Sequence, residues 1–90
     1  MEHRLLIIFK KAQATRILEY LNTYDDVKYK YTSSEFFGDS DVAAVLVVGN
    51  QESIDVIPNY IHGVFSTDAA VVLKFVGGNH DQEHQRSLLQ

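Results

Sequence analysis

Val42-Ala43-Ala44-Val45-Leu46-Val47-Val48 is a run of seven apolar residues that ends at Gly49-Asn50. The run is too short to span a bilayer, and its valine content favours a strand over a helix. Alternate residues of a strand point to opposite faces of the sheet, and here both sets are apolar. The pattern therefore predicts a strand that is covered on both faces. Leu5-Leu6-Ile7-Ile8-Phe9 repeats this pattern near the N-terminus. We expect these two strands to pair at the centre of one sheet.

Two segments have the apolar spacing of amphipathic helices. The side chains predicted to face the core are Ala14, Ile17, Leu18 and Leu21 in the first helix and Ile54, Ile57, Ile61 and Val64 in the second. Their spacing of three and four residues places each set on one side of a helix. Asn50 and Ser53 are both candidate N-caps of the second helix.

Two further segments have the pattern of strands. Residues 27–32 alternate Val and Tyr with Lys and Thr. This alternation is typical of an edge strand with one face in water, where lysines also discourage pairing with foreign strands. Residues 69–76 are apolar apart from Lys74, and Gly77-Gly78 follows them. We therefore predict strands over both segments.

The predicted order is strand, helix, strand, strand, helix, strand. This is the α+β arrangement called ferredoxin-like, a βαββαβ sandwich whose four-stranded antiparallel sheet carries two helices on one face. Right-handed crossovers place the first and third strands at the centre of the sheet. Residues 1–78 are the predicted domain, and residues 79–90 are a polar C-terminal tail. Since the central strands are apolar on both faces, we expect another copy of the chain to cover the second face.

Composition excludes several classes of function. The 90 residues contain no cysteine, so no disulfide, thiolate metal site or nucleophilic thiol can form. Twelve acids against eight bases give a net charge of −4, which disfavours nucleic acid and anionic membrane as partners. No apolar run approaches the ~20 residues of a membrane span, and no signal peptide is recognisable. We expect a cytoplasmic protein without membrane insertion.

The sequence contains no catalytic motif. Glu35, Asp39 and Asp41 form a carboxylate cluster, but turn and strand-entry roles are the expected ones. His80 and His84 have the i, i+4 spacing of a metal site without a third ligand. We predict no catalytic residue, no metal and no cofactor, and therefore no enzyme. The 42–48 strand also lacks the aromatics on which RNA-recognition motifs of this topology stack bases.

The segment from Lys28 to Gly38 is the predicted effector- or partner-binding site. Lys28 and Lys30 supply positive charge, Ser33 and Ser34 supply hydroxyl groups, and Phe36 and Phe37 beside Gly38 supply an apolar wall. A few polar groups on an apolar wall are the usual form of a small-molecule site.

The layout resembles the PII-like signalling superfamily. The matching parts are Leu5–Phe9 entering a helix through lysine, Phe36-Phe37-Gly38 before the third strand, the aliphatic third strand entering Gln51-Glu52-Ser53-Ile54, and the closing 70–78 segment. The resemblance implies a trimer with its sheets at the centre and small effectors, often nucleotides, bound between subunits. Residues 62–67 offer one glycine and no Lys or Arg, so the resemblance does not extend to a phosphate site there.

Together these patterns predict a small non-enzymatic regulatory module. We expect it to form a homo-oligomer, a trimer before a dimer, and to sense a small-molecule effector or regulate a protein partner. The alternative is an acidic inhibitor or adaptor, for example of phage or mobile-element origin, that docks on one protein. Its acidic loop and Phe36-Phe37 would then be the contact surface, because aromatic residues are favoured interface anchors.

Overall fold

A computed structural model describes residues 3–32 and 41–75 of the chain. The strands are β1 (His3–Lys10), β2 (Lys28–Thr32), β3 (Val42–Gly49) and β4 (Ala70–Phe75). The helices are α1 (Ala14–Leu21), which a 3₁₀ turn over Lys11–Gln13 precedes, and α2 (Gln51–Val64). The order of elements is the predicted one.

The four strands form one antiparallel sheet in the order β2-β3-β1-β4. The two apolar strands, β1 and β3, are therefore central, and the lysine-bearing β2 is an edge. The prediction of a ferredoxin-like α+β fold is confirmed.

The core lies between the sheet and the two helices. Leu5, Ile7 and Phe9 of β1 are at most 2% exposed, whereas Leu6 and Ile8 between them are only half-buried. The helices contribute fully buried side chains to the same core, namely Ile17, Leu21, Ile54, Ile57 and Ile61. Alternate residues of each central strand thus face the helices, as the pleat of a strand requires.

One predicted core position is wrong. Val64 has the spacing of the buried side of α2, but its side chain is 42% exposed, and Phe65 is buried instead. The helix ends at Val64, and Phe65 adopts an extended conformation while its N–H donates to the Ile61 carbonyl. Because the backbone leaves the helix there, the helical spacing no longer determines which side chain faces the core.

Asn50 is the N-cap of α2. Its side-chain oxygen accepts a hydrogen bond of 3.0 Å from the backbone N–H of Ser53. Ser53 lies inside the helix and donates its hydroxyl to Asp26 at 2.9 Å. Asp26 also accepts a hydrogen bond from the Asn50 N–H at 3.1 Å, so one carboxylate joins the turn before β2 to the start of α2.

Candidate functional site

The sheet has one face that neither helix of the described residues covers, which we call the open face. Strand register defines its rows: Lys28, Val48, Arg4 and Phe75 in the first, Lys30, Leu46, Leu6 and Leu73 in the second, and Thr32, Ala44, Ile8 and Val71 in the third. Val42 and Lys10 pair beyond the third row. The second, central row is thus leucine across three strands.

The open face exposes large apolar side chains. Leu46 is 40% exposed, Val71 36%, Leu73 49% and Phe75 45%. A contiguous exposed apolar patch on a small protein marks a contact surface or a binding site. Sequence parity predicted that this face is apolar, but the specific contribution of β4 was not predicted.

The charged side chains in the strand rows of the open face are all positive. Its charged side chains are Arg4, Lys10, Lys28 and Lys30, which are half of the eight bases of the chain. No acid of residues 3–32 or 41–75 lies in these rows. Asp68 lines a shallow pocket at the third-row end of the face with Ile8 and Lys10. The seven acids of the described residues therefore lie outside these rows.

A shallow pocket of about 240 Å³ lies at the β2–β3 side of the open face. Its lining residues are Lys28, Tyr29, Lys30, Leu46 and Val48. Lys28 stands opposite Val48 and Lys30 opposite Leu46, so two ammonium-bearing side chains flank an apolar floor. In the described part of the chain neither lysine has an ion-pair partner. The pocket offers contacts to a ligand that combines an apolar body with a negative group.

The structure describes two of the predicted site residues and brings them together. Lys28 and Lys30 lie on one face of β2, at the pocket. Ser33, Ser34, Phe36, Phe37 and Gly38 lie outside the described residues, as do Glu35 and Asp39. The roles given to them, including the contact surface of the alternative docking function, stay predictions.

Leu46 and Val48 are pocket residues that the sequence pattern did not assign to the site. The local pattern shows only that both belong to an apolar strand. Their place beside Lys28 and Lys30 depends on the β2–β3 register, which is a non-local property. Shifting the register by one residue would place the lysines against the helix-facing residues instead.

The carboxylate of Asp26 accepts hydrogen bonds that lower its pKa. The Asn50 N–H and the Ser53 hydroxyl donate to its carboxylate and hold the pKa of Asp26 below its ordinary value. Both partners lie at the first turn of α2, and each oxygen of the carboxylate accepts from one of them. We interpret this cluster as a structural connection and not as a catalytic one.

The described residues contain neither a metal-binding cluster nor a membrane-spanning helix. No group of three or more His, Asp or Glu side chains in residues 3–32 and 41–75 could hold a metal ion. In the same ranges no helix is long and apolar enough to cross a membrane.

No protein-family model and no curated protein matches the sequence. Among solved structures, the chain is similar to a protein of Thermus thermophilus that is described as a PII-like signaling protein, with a TM-score of 0.59. The two share 10% sequence identity over 82% of this chain and 85% of the other. At this identity the similarity shows a common fold. The resemblance predicted from the sequence is thus confirmed at the level of the fold, which this chain shares with that protein.

Proposed function

We propose that this protein is a non-enzymatic, cytoplasmic regulatory module of PII-like type that self-associates through its open face. The observation that carries the proposal is the open face itself, where leucines cross three strands and four large apolar side chains stay 36–49% exposed. A second copy supplies a matching surface without any other component. A trimer with its sheets towards the centre is the assembly that the PII-like resemblance favours, and a dimer is the alternative.

The module senses a small-molecule effector or regulates a protein partner at the segment from Lys28 to Gly38. The pocket of Lys28, Lys30, Leu46 and Val48 supports the first part of this segment. Because the pocket lies on the open face, a ligand in it also meets the copy that covers this face. Binding of the effector and contact between copies are therefore coupled, which gives the module a means of regulation.

The test of the binding site is a thermal-shift screen against nucleotides and common metabolites. A ligand at one hundred times its Kd stabilises a protein by about 2.7 kcal/mol, which a melting curve resolves easily. We expect at least one anionic compound to raise Tm. Replacing both Lys28 and Lys30 by alanine should abolish this rise.

The matched control is Lys10→Ala. It removes one positive charge from the same face, as Lys28→Ala and Lys30→Ala each do singly, but Lys10 pairs with Val42 at the opposite end of the sheet from Lys28. The control should respond to the compound like the wild type. If no compound shifts Tm, or if the Lys10 variant loses the response equally, the effector site is not at this pocket.

A further inference from the structure

A second apolar surface lies on the helix layer, along the flank of α2 where Tyr60 stacks on Tyr20 of α1. Val56, Tyr60 and Val64 follow one another at intervals of four residues and are 48%, 42% and 42% exposed. This spacing puts them on one side of the helix. The outer side of a surface helix is normally polar, so three large apolar residues in line are a candidate contact surface.

The tyrosines beside this stripe are held in fixed positions. Tyr20 of α1 stacks on Tyr60 with ring centroids 3.7 Å apart and an angle of 10° between the rings. Tyr24 packs edge-on against Tyr20, and the two hydroxyl groups are 2.7 Å apart. Burial, together with the hydrogen bond and proximity of Tyr24, raises the pKa of Tyr20. Rigid tyrosines lose little conformational entropy when a partner binds, which makes them effective anchors.

A shallow groove of about 300 Å³ lies between α1 and α2 at the stacked pair. Its lining residues are Arg16, Glu19, Tyr20, Thr23 and Tyr60. The Arg16 guanidinium lies 4.9 Å from the ring centre of Phe65 and donates to the Gln13 side chain at 3.4 Å. The groove therefore contains aromatic surface, one cation that already has partners, and the exposed carboxylate of Glu19.

Charge complementarity indicates what this surface binds. Among the described residues outside the strand rows of the open face, the acids are Glu19, Asp25, Asp26, Asp41, Glu52, Asp55 and Asp68, and the bases are Lys11, Arg16 and Lys74. Seven acids against three bases leave a net charge of −4 on these residues. Because Asp55 pairs with Lys74 and Asp26 accepts from Asn50 and Ser53, the acids that define the charge beside the stripe and the groove are Glu52 and Glu19. Glu52 precedes Val56 by one helical step of four residues, and Glu19 lines the groove. A partner that fits needs apolar side chains for the stripe and positive charge around them.

We propose that the helix-layer surface formed by Tyr20, Val56, Tyr60 and Val64 binds a cationic amphipathic helix of a partner protein. The stripe runs eight residues along α2, or about 12 Å, which matches two turns of a second helix. The partner's apolar side chains cover the stripe, and its Lys or Arg side chains lie near Glu19 and Glu52. This surface is opposite the open face, so the proposal does not depend on self-association.

The experiment uses two synthetic helical peptides with identical leucine positions. In one all polar positions are lysine, and in the other they are glutamate. Each is titrated into the full ¹⁵N-labelled chain while amide chemical shifts are followed. We expect the Leu/Lys peptide to shift amides of residues 16–24 and 52–64, with an affinity that falls as salt is added. The Leu/Glu peptide should leave these amides unchanged.

Variants separate a docked helix from general charge attraction. Val56→Lys should weaken binding of the Leu/Lys peptide at least tenfold, because it places a cation within the stripe. Glu52→Lys should weaken it severalfold. Asp68→Lys makes the same charge change as Glu52→Lys at an exposed turn outside this surface and should bind like the wild type.

Several results would overturn the proposal. They are equal binding of the two peptides, shifts confined to β1–β4, or an equal loss for the Asp68 and Glu52 variants. None of these results concerns self-association through the open face. Failure of the proposed function would instead be seen in sedimentation experiments as a monomeric protein.

Discussion

Replacing Leu73 by lysine should separate the copies of this protein without unfolding the chain. Leu73 lies on the edge strand β4, on the open face, and is 49% exposed. Substitutions at exposed surface positions usually change the free energy of unfolding by no more than about 0.5 kcal/mol. A helical and strand content equal to that of the wild type, measured by circular dichroism, is therefore the expected result for the variant.

The effect on association follows from exposed area. Fully burying a large apolar side chain stabilises a protein by about 1.5–3 kcal/mol. Between a third and a half of that free energy is still available to a contact with another copy at each of four side chains, namely Leu46, Val71, Leu73 and Phe75. Together they provide roughly 3–5 kcal/mol per copy, as an upper estimate from this burial coefficient. This is comparable to the lower range of what association costs in lost freedom, about 4–15 kcal/mol. Contact between copies therefore depends on each of these side chains.

Leu73→Lys removes about 1 kcal/mol of this apolar contribution and adds an ammonium group that the contact must desolvate. Desolvating an unpaired ion costs several kcal/mol, and the strand rows of the open face hold no acid to pair with it. A total of about 3 kcal/mol or more weakens association by more than a hundredfold. Sedimentation velocity at micromolar concentration measures this change directly.

The matched control is Val56→Lys, which makes the same kind of change at a side chain 48% exposed on the helix layer. It should leave the sedimentation coefficient unchanged. If Leu73→Lys sediments like the wild type, or if both variants dissociate equally, the assignment of the interface to the open face is refuted.

Three further predictions concern the helix cap and the tyrosines. Asn50→Ala should lower the free energy of unfolding by about 1 kcal/mol and Tm by roughly 4–8 °C, as measured by calorimetry, because the Ser53 N–H loses its acceptor; an unchanged Tm would contradict the assigned cap. The pKa of Asp26 is lowered on folding, so its stabilising contribution is complete above the unfolded value and is lost as pH falls through the folded one. Urea unfolding at a series of acidic pH values should accordingly show a weaker acid dependence for Asp26→Asn, and identical pH profiles would exclude the effect. Ultraviolet titration should show one tyrosine that ionises at higher pH than the others and that is missing in Tyr20→Phe; a single common transition in both proteins would disagree with the raised pKa.

The fold could be predicted because its elements depend on local periods. The alternation over 27–32 and the spacing of Ala14, Ile17, Leu18 and Leu21 determine element type without any long-range information. The doubly apolar pattern of 5–9 and 42–48 also indicated which strands are central, because the lysine-bearing β2 can be tolerated only at an edge.

The site could be predicted only in part, because its residues meet through non-local contacts. Leu46 lies opposite Lys30 on the neighbouring strand, and Tyr20 of α1 stacks on Tyr60 of α2, although the two helices are distant in the chain. Asn50 and Ser53 are both candidate caps in the sequence. The structure identifies Asn50 as the cap, because its side chain accepts from the Ser53 N–H, while the Ser53 hydroxyl donates to Asp26, which is 27 residues away in the chain. The predicted buried stripe of α2 is wrong at Val64, which has the spacing of the buried side but is exposed because the helix ends there.

Sedimentation equilibrium of the wild-type protein tests the central claim most directly. The chain has a mass of 10.2 kDa, and the measurement should run from low to high micromolar concentration. The account predicts a mass of about three chains, or of two in the alternative assembly, because the open face is covered by other copies. A mass of one chain at every concentration would contradict it.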